Sequence, residues 1–438
     1  MNIVRKISRI SVLSYQYDDK RKSIRLQNTE KEPKDNYYLV HITLFLLGFM
    51  NMMPIMFFSV ANNYWMYKFR NPAVKYIPNG QDRTDLQQYF QSITGPFQTV
   101  PSAVLSVLTV TYSKYITERT IIGLVGLTVV TAIFAVFPLI DTRNWQLEFF
   151  ALVMALLFVD TIFLSAFQSS TMTMLAKLPD DYLFLFILGQ NGTLMISILQ
   201  IVSLVVTDSD DMSGFIYFAV GTLMSLTVLI FMLLAKRTEV YQHYVENVEN
   251  IEQSTDMNYS DIIDITKKIW PCMFLLSTSL FIVFTVYPSI MSLVVSEQAN
   301  TEWGDKYFIP VTVFFLFDVF GTMGKLLTRK IQMTNSNKWW HVTSSVIMSC
   351  LITVFYMFCN AQPRTLPVVF DKDWEFILMN VIFAFYSGFI INVSFMSLKS
   401  MSIGVEDNAY SLMNLTLSVV STIFCANGMI AVKLIDID

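Results

Sequence analysis

Long apolar windows recur along the whole of this chain, and they restrict its fold more than any other feature. A helix needs about 17–25 apolar residues to cross a bilayer, and eleven windows of that length are present. They lie near residues 38–62, 90–111, 119–140, 149–175, 182–206, 214–235, 270–295, 307–328, 337–361, 374–400 and 408–434. In lipid the backbone polar groups must bond within their own segment, and a helix satisfies this requirement. The sequence therefore predicts an all-α integral membrane protein with eleven transmembrane helices.

The composition supports a membrane setting and excludes several other classes of protein. Hydrophobic residues make up 54% of the chain and charged residues 15%, against about 45–50% and 25% in soluble domains. All four cysteines fall inside apolar windows, so we expect buried thiols and no disulfide framework. No His/Cys cluster has metal-ligand spacing, so no metal or other cofactor is expected. A net charge of −4 is too small to indicate a nucleic-acid partner.

A polar segment divides the predicted helices into groups of six and five. The predicted boundaries are a basic N-terminal segment, 1–37, a first half, 38–235, a loop, 236–269, and a second half, 270–438. Cytoplasmic segments of membrane proteins are rich in Lys and Arg. If the N-terminus is cytoplasmic, that side holds 21 of the 30 basic residues. We therefore expect a cytoplasmic N-terminus and loop, an extracellular C-terminus, and a multi-pass plasma-membrane protein in contact with lipid.

One carboxylate, Asp318, lies near the middle of the eighth window. Insertion scales put the cost of an Asp at bilayer depth at roughly 2.5–3.5 kcal/mol. Such a residue persists where it faces a protein interior or a water-filled path, so it is a candidate functional residue. The sequence has no P-loop, no metalloprotease motif and no nucleophile elbow, which disfavours ATP-driven pumping and a membrane enzyme. Asp318 therefore indicates passage of a polar solute.

Five short motifs occur in order along the chain. They are residues 167–170 (FQSS), 178–179 with 189–190 (LP and GQ), 287–288 (YP), 307–311 with 317–321 (YFIPV and FDVFG), and 383–389 (FAFYSGF). Each fragment alone is weakly specific, whereas five in register across eleven windows are specific. Together with the six-plus-five arrangement, they resemble the equilibrative nucleoside transporter family over nearly the whole chain.

The resemblance implies a fold similar to the major facilitator type, and passage of nucleosides or nucleobases through a central cavity by alternating access. The carrier is expected to work as a monomer without ATP. Asp318 would accept hydrogen bonds from ribose hydroxyls, and Gln168 would match a base edge. Tyr287 and Phe317 would pack on the base. The plainer alternatives are that Gln168 bonds a neighbouring helix and that both aromatic rings only fill space.

Two sets of residues complete the prediction, one from the resemblance and one that also includes positions departing from the family pattern. Helix-packing roles, which small residues take inside membranes, are assigned to Gly189, Gly192, Gly321 and Gly388. The predicted substrate site consists of Asp318, Gln168, Tyr287, Phe317, Thr322, Asp160, Met56 and Ser387.

Several of these positions depart from the family pattern. Thr322 stands where the family carries an arginine, one helical turn after the aspartate, and Lys325, a further turn on, could extend to water. Met56 and Ser387 each replace a family asparagine. The fourth window gains Asp160, which lies within about 80° of Gln168 around a helix.

The altered site leaves two classes of function open. The leading class is a facilitative nucleoside transporter. A variant within it is a pH-dependent carrier of an organic cation such as a monoamine, because the site has lost a cation and gained an acid. The second class is a membrane sensor or scaffold that keeps the fold and does not transport.

Overall fold

The fold is taken from a computed structural model of the chain. It describes residues 35–72, 83–110, 115–178, 180–246, 259–328, 330–331, 333–334, 336–402 and 406–436. The predicted basic segment, up to residue 34, and residues 247–258 of the predicted loop lie outside this set.

Helices form nearly all of the regular structure. They are α1 (Leu39–Val60), α2 (Asp85–Val110), α3 (Ile116–Val136), α4 (Gln146–Lys177), α5 (Asp180–Gly189), α6 (Thr193–Val206), α7 (Asp210–Ala235), α8 (Tyr259–Val286), α9 (Leu316–Leu327), α10 (Lys338–Met357), α11 (Asp373–Met396), α12 (Glu406–Phe424) and α13 (Asn427–Ile435). The described residues contain two isolated β-bridges and no strand. The predicted all-α class is confirmed.

Ten helical segments of the described chain are long and apolar enough to cross a membrane, so the protein is a multi-pass membrane protein. The remaining predicted window, 90–111, corresponds to α2, which is not among the ten. Its first turns carry buried glutamines that lower its apolar character. Gln87 donates to the carbonyl of Met66 at 2.7 Å, and Gln91 donates to the carbonyl of Ser59 at 3.0 Å. Protein acceptors thus bind the NH₂ groups of both side chains, so the polar first turns of α2 are accommodated inside the bundle.

Two predicted windows differ from the helices in detail. The window 182–206 is broken, because a 3₁₀ turn, Gln190–Gly192, separates α5 from α6. The helix expected to begin at 270 begins at Tyr259, so the second part of the predicted loop is helical. A π-helical turn, Pro310–Phe315, leads into α9.

The helices pack mainly within two groups, which we call the N-terminal group (α1–α7) and the C-terminal group (α8–α13). In the first group α3 packs on α4 and α7, and α1 packs on α5. In the second group α9 packs on α11, and α8 packs on α12. The groups meet along α2 and α12, and again where α6 packs on α9 and the turn before it. We call this second contact the α6–α9 junction.

The outer surface of the bundle is apolar at helical spacing. On α7, Leu223, Leu226, Ile230 and Leu233 are all exposed and follow one another at three or four residues. In water such a stripe would be unfavourable, whereas lipid tails are its natural solvent.

One end of the bundle, which we call the rim, carries the connections at residues 61–72, 137–145, 207–209 and 287–309. The short helix Asn62–Lys68 belongs to it, and Lys68 is only 5% exposed. The Lys68 ammonium donates to the carbonyl of Ile140 at 2.9 Å and pairs with Asp211 at 2.8 Å. These contacts fix three segments of the N-terminal group to one another.

The rim also joins the two groups. The Asn63 side-chain amide donates to the backbone carbonyl of Lys306 at 2.9 Å, and the Lys306 ammonium pairs with Asp208 at 3.0 Å. The Arg83 guanidinium donates to the carbonyls of Leu293 and Gln362.

Candidate functional site

Asp318 lies in the first turn of α9, at the α6–α9 junction. The Ser197 hydroxyl on α6 donates to Asp318 Oδ2, and the Thr193 hydroxyl, one turn earlier, lies near the same carboxylate. Asp318 is partly exposed although helices surround it, whereas Ser197 is fully buried. A charged group of the C-terminal group is therefore held by neutral hydroxyls of the N-terminal group.

Lys325 lies two turns after Asp318 on the same helix face. Its ammonium donates to Asn191 Oδ1 at 3.2 Å, and it is within electrostatic range of Asp318. Asn191 belongs to the turn that breaks α5 from α6. The sequence left Lys325 able to extend to water; the structure shows it partly exposed, with its ammonium bound to a side chain between the helix groups. The seven-residue spacing from Asp318 was the available signal for this inward direction.

Three of the predicted site residues come together around one ring pair. Tyr287, at the end of α8, stacks on Phe317 with ring centroids 4.3 Å apart and planes 17° apart. Phe383 on α11 meets the edge of Phe317 at 5.3 Å. The Tyr287 hydroxyl approaches the sulfur of Met56 on α1 at 3.8 Å. An aromatic surface of the C-terminal group thus lies beside Asp318, and Tyr287 carries it to Met56 of the N-terminal group.

Gln168 bonds a neighbouring helix. Its side-chain nitrogen donates to the backbone carbonyl of Asn51 on α1 at 3.0 Å. A backbone carbonyl can only accept, so this contact fixes which end of the carboxamide faces α1. Among the described residues no donor reaches the Gln168 carbonyl oxygen, and the residue is partly exposed. Gln168 therefore keeps one free acceptor.

Asp160 lies apart from this cluster. It is 7% exposed, and none of the described residues forms a hydrogen bond or ion pair with its carboxylate. Its neighbours on α4, Phe163 and Phe167, pack against Gly126 and Gly123 of α3. The helix face that carries Asp160 thus packs on α3 within the N-terminal group, and Asp318 is not among the groups whose charge acts on Asp160.

Thr322 and Ser387 differ in their surroundings. Thr322 is partly exposed one turn after Asp318, on the face that carries the charge. Ser387 is buried and donates to the carbonyl of Ala384 in its own helix at 3.1 Å. Thr322 therefore remains partly exposed beside Asp318, whereas the Ser387 hydroxyl is bonded within its own helix.

The four predicted packing glycines lie at helix contacts. An added Cβ at Gly388 would collide with the carbonyl oxygen of Gly321, and one at Gly189 would collide with the carbonyl oxygen of Phe45. A Cβ at Gly192 would meet the ring of Phe49, whereas Gly321 itself has room for one. The close approaches at Gly388 and Gly189 require a residue without a side chain.

Comparisons with known proteins agree on one family. The family described as "Nucleoside transporter" matches residues 152–262 and 247–421, more than half of the chain. Equilibrative nucleoside transporter 3 of Rattus norvegicus is 24% identical over 388 residues, covering 82% of this chain and 81% of its own. Equilibrative nucleoside transporter 1 of Homo sapiens is 24% identical over 415 residues, covering 83% and 90%.

A solved structure shares the fold. The crystal structure of a mutant of the nucleoside transporter NupG matches with a TM-score of 0.56 at 11% identity, covering 90% of this chain and 91% of that one. The likeness is one of fold, while the family rests on the sequence matches. The resemblance that the motifs indicated is therefore confirmed: this chain belongs to the nucleoside transporter family, as a divergent relative of its equilibrative members.

Proposed function

We propose that this protein is a facilitative membrane transporter of nucleosides that works by alternating access between its two helix groups. The observation that carries the proposal is Asp318, a carboxylate inside the membrane whose hydrogen-bond donors are hydroxyl groups. A nucleoside brings ribose hydroxyls, which donate to a carboxylate in the same way. Charge-assisted bonds of this kind are roughly twice as strong as neutral ones. The names of the curated relatives support the same substrate class.

The base would use the groups around Asp318. The stacked pair of Tyr287 and Phe317 offers aromatic surface on which a planar base packs. The Gln168 carbonyl, which its bond to α1 leaves free, would accept from an N–H of the base edge. Thr322 and Met56 would complete the wall of the site. The nearby Lys325 balances the charge of Asp318, which favours a neutral solute.

The proposed architecture counts α2 as the eleventh span and divides the spans into six and five, in a major-facilitator-like arrangement. The N-terminus is then cytoplasmic and the rim extracellular, in the plasma membrane, with lipid around a monomeric carrier. The Lys/Arg bias supports this orientation. Single cysteines placed at the exposed positions 239 and 299, in a background without the exposed Cys350, should be labelled from opposite sides of the membrane. Labelling from one side would overturn the assignment.

A pH-dependent carrier of organic cations is the second candidate, and Asp160 favours it. A buried carboxylate without a partner among the described residues would suit a cationic solute or a proton. Its position inside the N-terminal group, away from the α6–α9 junction, makes this candidate weaker than the first.

Uptake of labelled uridine, adenosine, adenine and a monoamine tests these alternatives in cells that lack endogenous carriers. We expect saturable uridine or adenosine uptake that does not require ATP. Monoamine uptake that changes between pH 5.5 and 8, without nucleoside uptake, would favour the second candidate. No uptake of any solute by protein delivered to the membrane would favour a sensor or scaffold.

A further inference from the structure

The inference concerns what holds Asp318, and it rests on the proposed function. The Ser197 hydroxyl donates to Asp318 Oδ2 from the opposite helix group, and Thr193 lies beside it. These two hydroxyls stand one helical turn apart on α6 and present the carboxylate with the same chemistry as a vicinal diol. A solute diol that binds Asp318 therefore meets hydroxyls already present on the protein.

Ser197 can release the carboxylate at low cost. Serine and threonine inside helices commonly donate to the backbone carbonyl four residues earlier. Buried residues of this protein do so, as Ser225 donates to Gly221 at 3.0 Å and Thr120 donates to Ile116 at 2.9 Å. For Ser197 the equivalent acceptor is the Thr193 carbonyl. Its hydroxyl would stay satisfied after it leaves Asp318, so exchange leaves no buried donor unpaired.

We propose that the Ser197 hydroxyl, supported by Thr193, competes with a solute hydroxyl for the Asp318 carboxylate and thereby sets the affinity for solutes that carry a sugar diol. The exchange also replaces a bond between the helix groups with a bond to the solute. Ser197 is then a specificity-determining residue of the transporter, although it never needs to touch the base.

Substitution of Ser197 tests the competition. Ser197→Ala removes the competing donor, so the KM for uridine should fall by about three- to tenfold, the range of a typical net hydrogen bond, because the released Ser197 hydroxyl keeps a backbone acceptor. The KM for 2′,3′-dideoxyuridine, which has no diol, should stay within about twofold, on the same reasoning. Thr193→Val, which keeps the shape and removes the hydroxyl, should shift the uridine KM in the same direction. This second variant serves if Ser197→Ala is poorly delivered to the membrane.

Ser203→Ala is the matched control. Ser203 is also fully buried on α6, but its hydroxyl donates to the Gln200 carbonyl at 2.7 Å and accepts from the Ser213 hydroxyl at 2.9 Å. Its removal should leave the uridine-to-dideoxyuridine KM ratio unchanged. An equal ratio in Ser197→Ala and Ser203→Ala, or a higher uridine KM in Ser197→Ala, would overturn the inference while wild-type uptake still upheld the proposed function. A wild type that transports no nucleoside would overturn both.

Discussion

Two lysines of this protein, Lys68 at the rim and Lys325 at the α6–α9 junction, are held in opposite ways. The Lys68 ammonium has a carboxylate and a backbone carbonyl within 2.9 Å, all within the N-terminal group. The Lys325 ammonium has one neutral side chain at 3.2 Å, and that side chain belongs to the other helix group. Lys68 is buried, whereas Lys325 is partly exposed.

The difference separates a charge that stabilises the fold from a charge that can change partners. Release of the Lys68 ammonium from its acceptor oxygens would require three segments of the N-terminal group to move relative to one another. Asp318 and Lys325 balance each other's charge along α9 while their hydrogen bonds go to neutral groups of the facing segment, so either can change its hydrogen-bond partner without breaking a contact ion pair. A transporter needs polar contacts that can be exchanged at its substrate site and contacts that persist within each helix group. The neutral partners at the junction suit the first need, and the charged partner of Lys68 suits the second.

The largest effect should come from removing the charge at the junction. Asp318→Asn should lower nucleoside uptake about a hundredfold, since bonds to charged groups contribute about 1.5–3 kcal/mol each. The amount of protein in the membrane should stay normal because an amide lowers the intramembrane cost. Uptake normalised to surface protein measures this. Asp160→Asn is the comparison, and it should keep most uptake because Asp160 lies away from the junction. Wild-type uptake by Asp318→Asn would contradict the central role of Asp318.

Lys68→Met should act on stability and not on transport. It leaves the Ile140 carbonyl and Asp211 without their donor, at a cost of about 1–3 kcal/mol. A lower melting temperature in detergent, with an unchanged uridine KM for the protein that remains folded, is the expected pair of results. The control is Lys236→Met, because Lys236 is 37% exposed and its pair with Glu118 spans 3.6 Å. Equal melting temperatures for the two variants would remove the distinction between rim and junction.

Lys325→Met should reduce transport by about tenfold, the effect of about 1.4 kcal/mol. Without the ammonium, the charge of Asp318 is no longer balanced and Asn191 loses its hydrogen-bond donor. Thermal stability should change little, because one neutral partner is lost. Lys325→Arg, which keeps the charge, should recover part of the uptake. Full activity in Lys325→Met would show that this lysine only fills the helix break.

The smallest effect should come from the exposed ion pair at the rim. The Asp208 side chain is fully exposed and Lys306 is 25% exposed, so the pair contributes less than about 1 kcal/mol. Asp208→Asn should therefore shift the melting temperature by no more than Asp141→Asn, whose partner Arg143 lies at 3.8 Å. A clear loss of stability in Asp208→Asn alone would mean that the ion pair, and not the Asn63 bond beside it, joins the groups at the rim.

The helices were predictable where one physical cause dominated. Ten apolar windows produced apolar helices because burial in lipid requires them. The break at Gln190–Gly192 was not visible, since a window average does not register a local 3₁₀ turn inside an apolar run. The sequence predicted that α2 is helical. It could not predict that its glutamines are buried, because their acceptors lie on α1 and on the short helix after α1, which only the fold brings close to α2.

The site was predictable in its residue types and not in its partners. Asp318, Tyr287, Phe317 and Met56 were selected from sequence and meet in the structure. Asp160 was grouped with them from its angle around the helix relative to Gln168. That angle gives the direction of a side chain but not which helix lies there, and the face of α4 that carries Asp160 packs on α3. Ser197, Asn191 and Asn51 were missed because single polar residues in apolar windows have no distinctive spacing.

The contact between α9 and α11 has a mechanical consequence. Side chains at Gly388 and Gly324 would collide with backbone carbonyls of the opposite helix, so the two backbones touch with nothing compressible between them. We expect the two helices to move together as one rigid body. Asp318 and Lys325 both lie on this rigid pair, whereas the partner of Asp318 follows the 3₁₀ turn of the facing segment and the partner of Lys325 lies within that turn. A small change of angle at that turn would then alter the Ser197–Asp318 and Asn191–Lys325 hydrogen bonds at the same time.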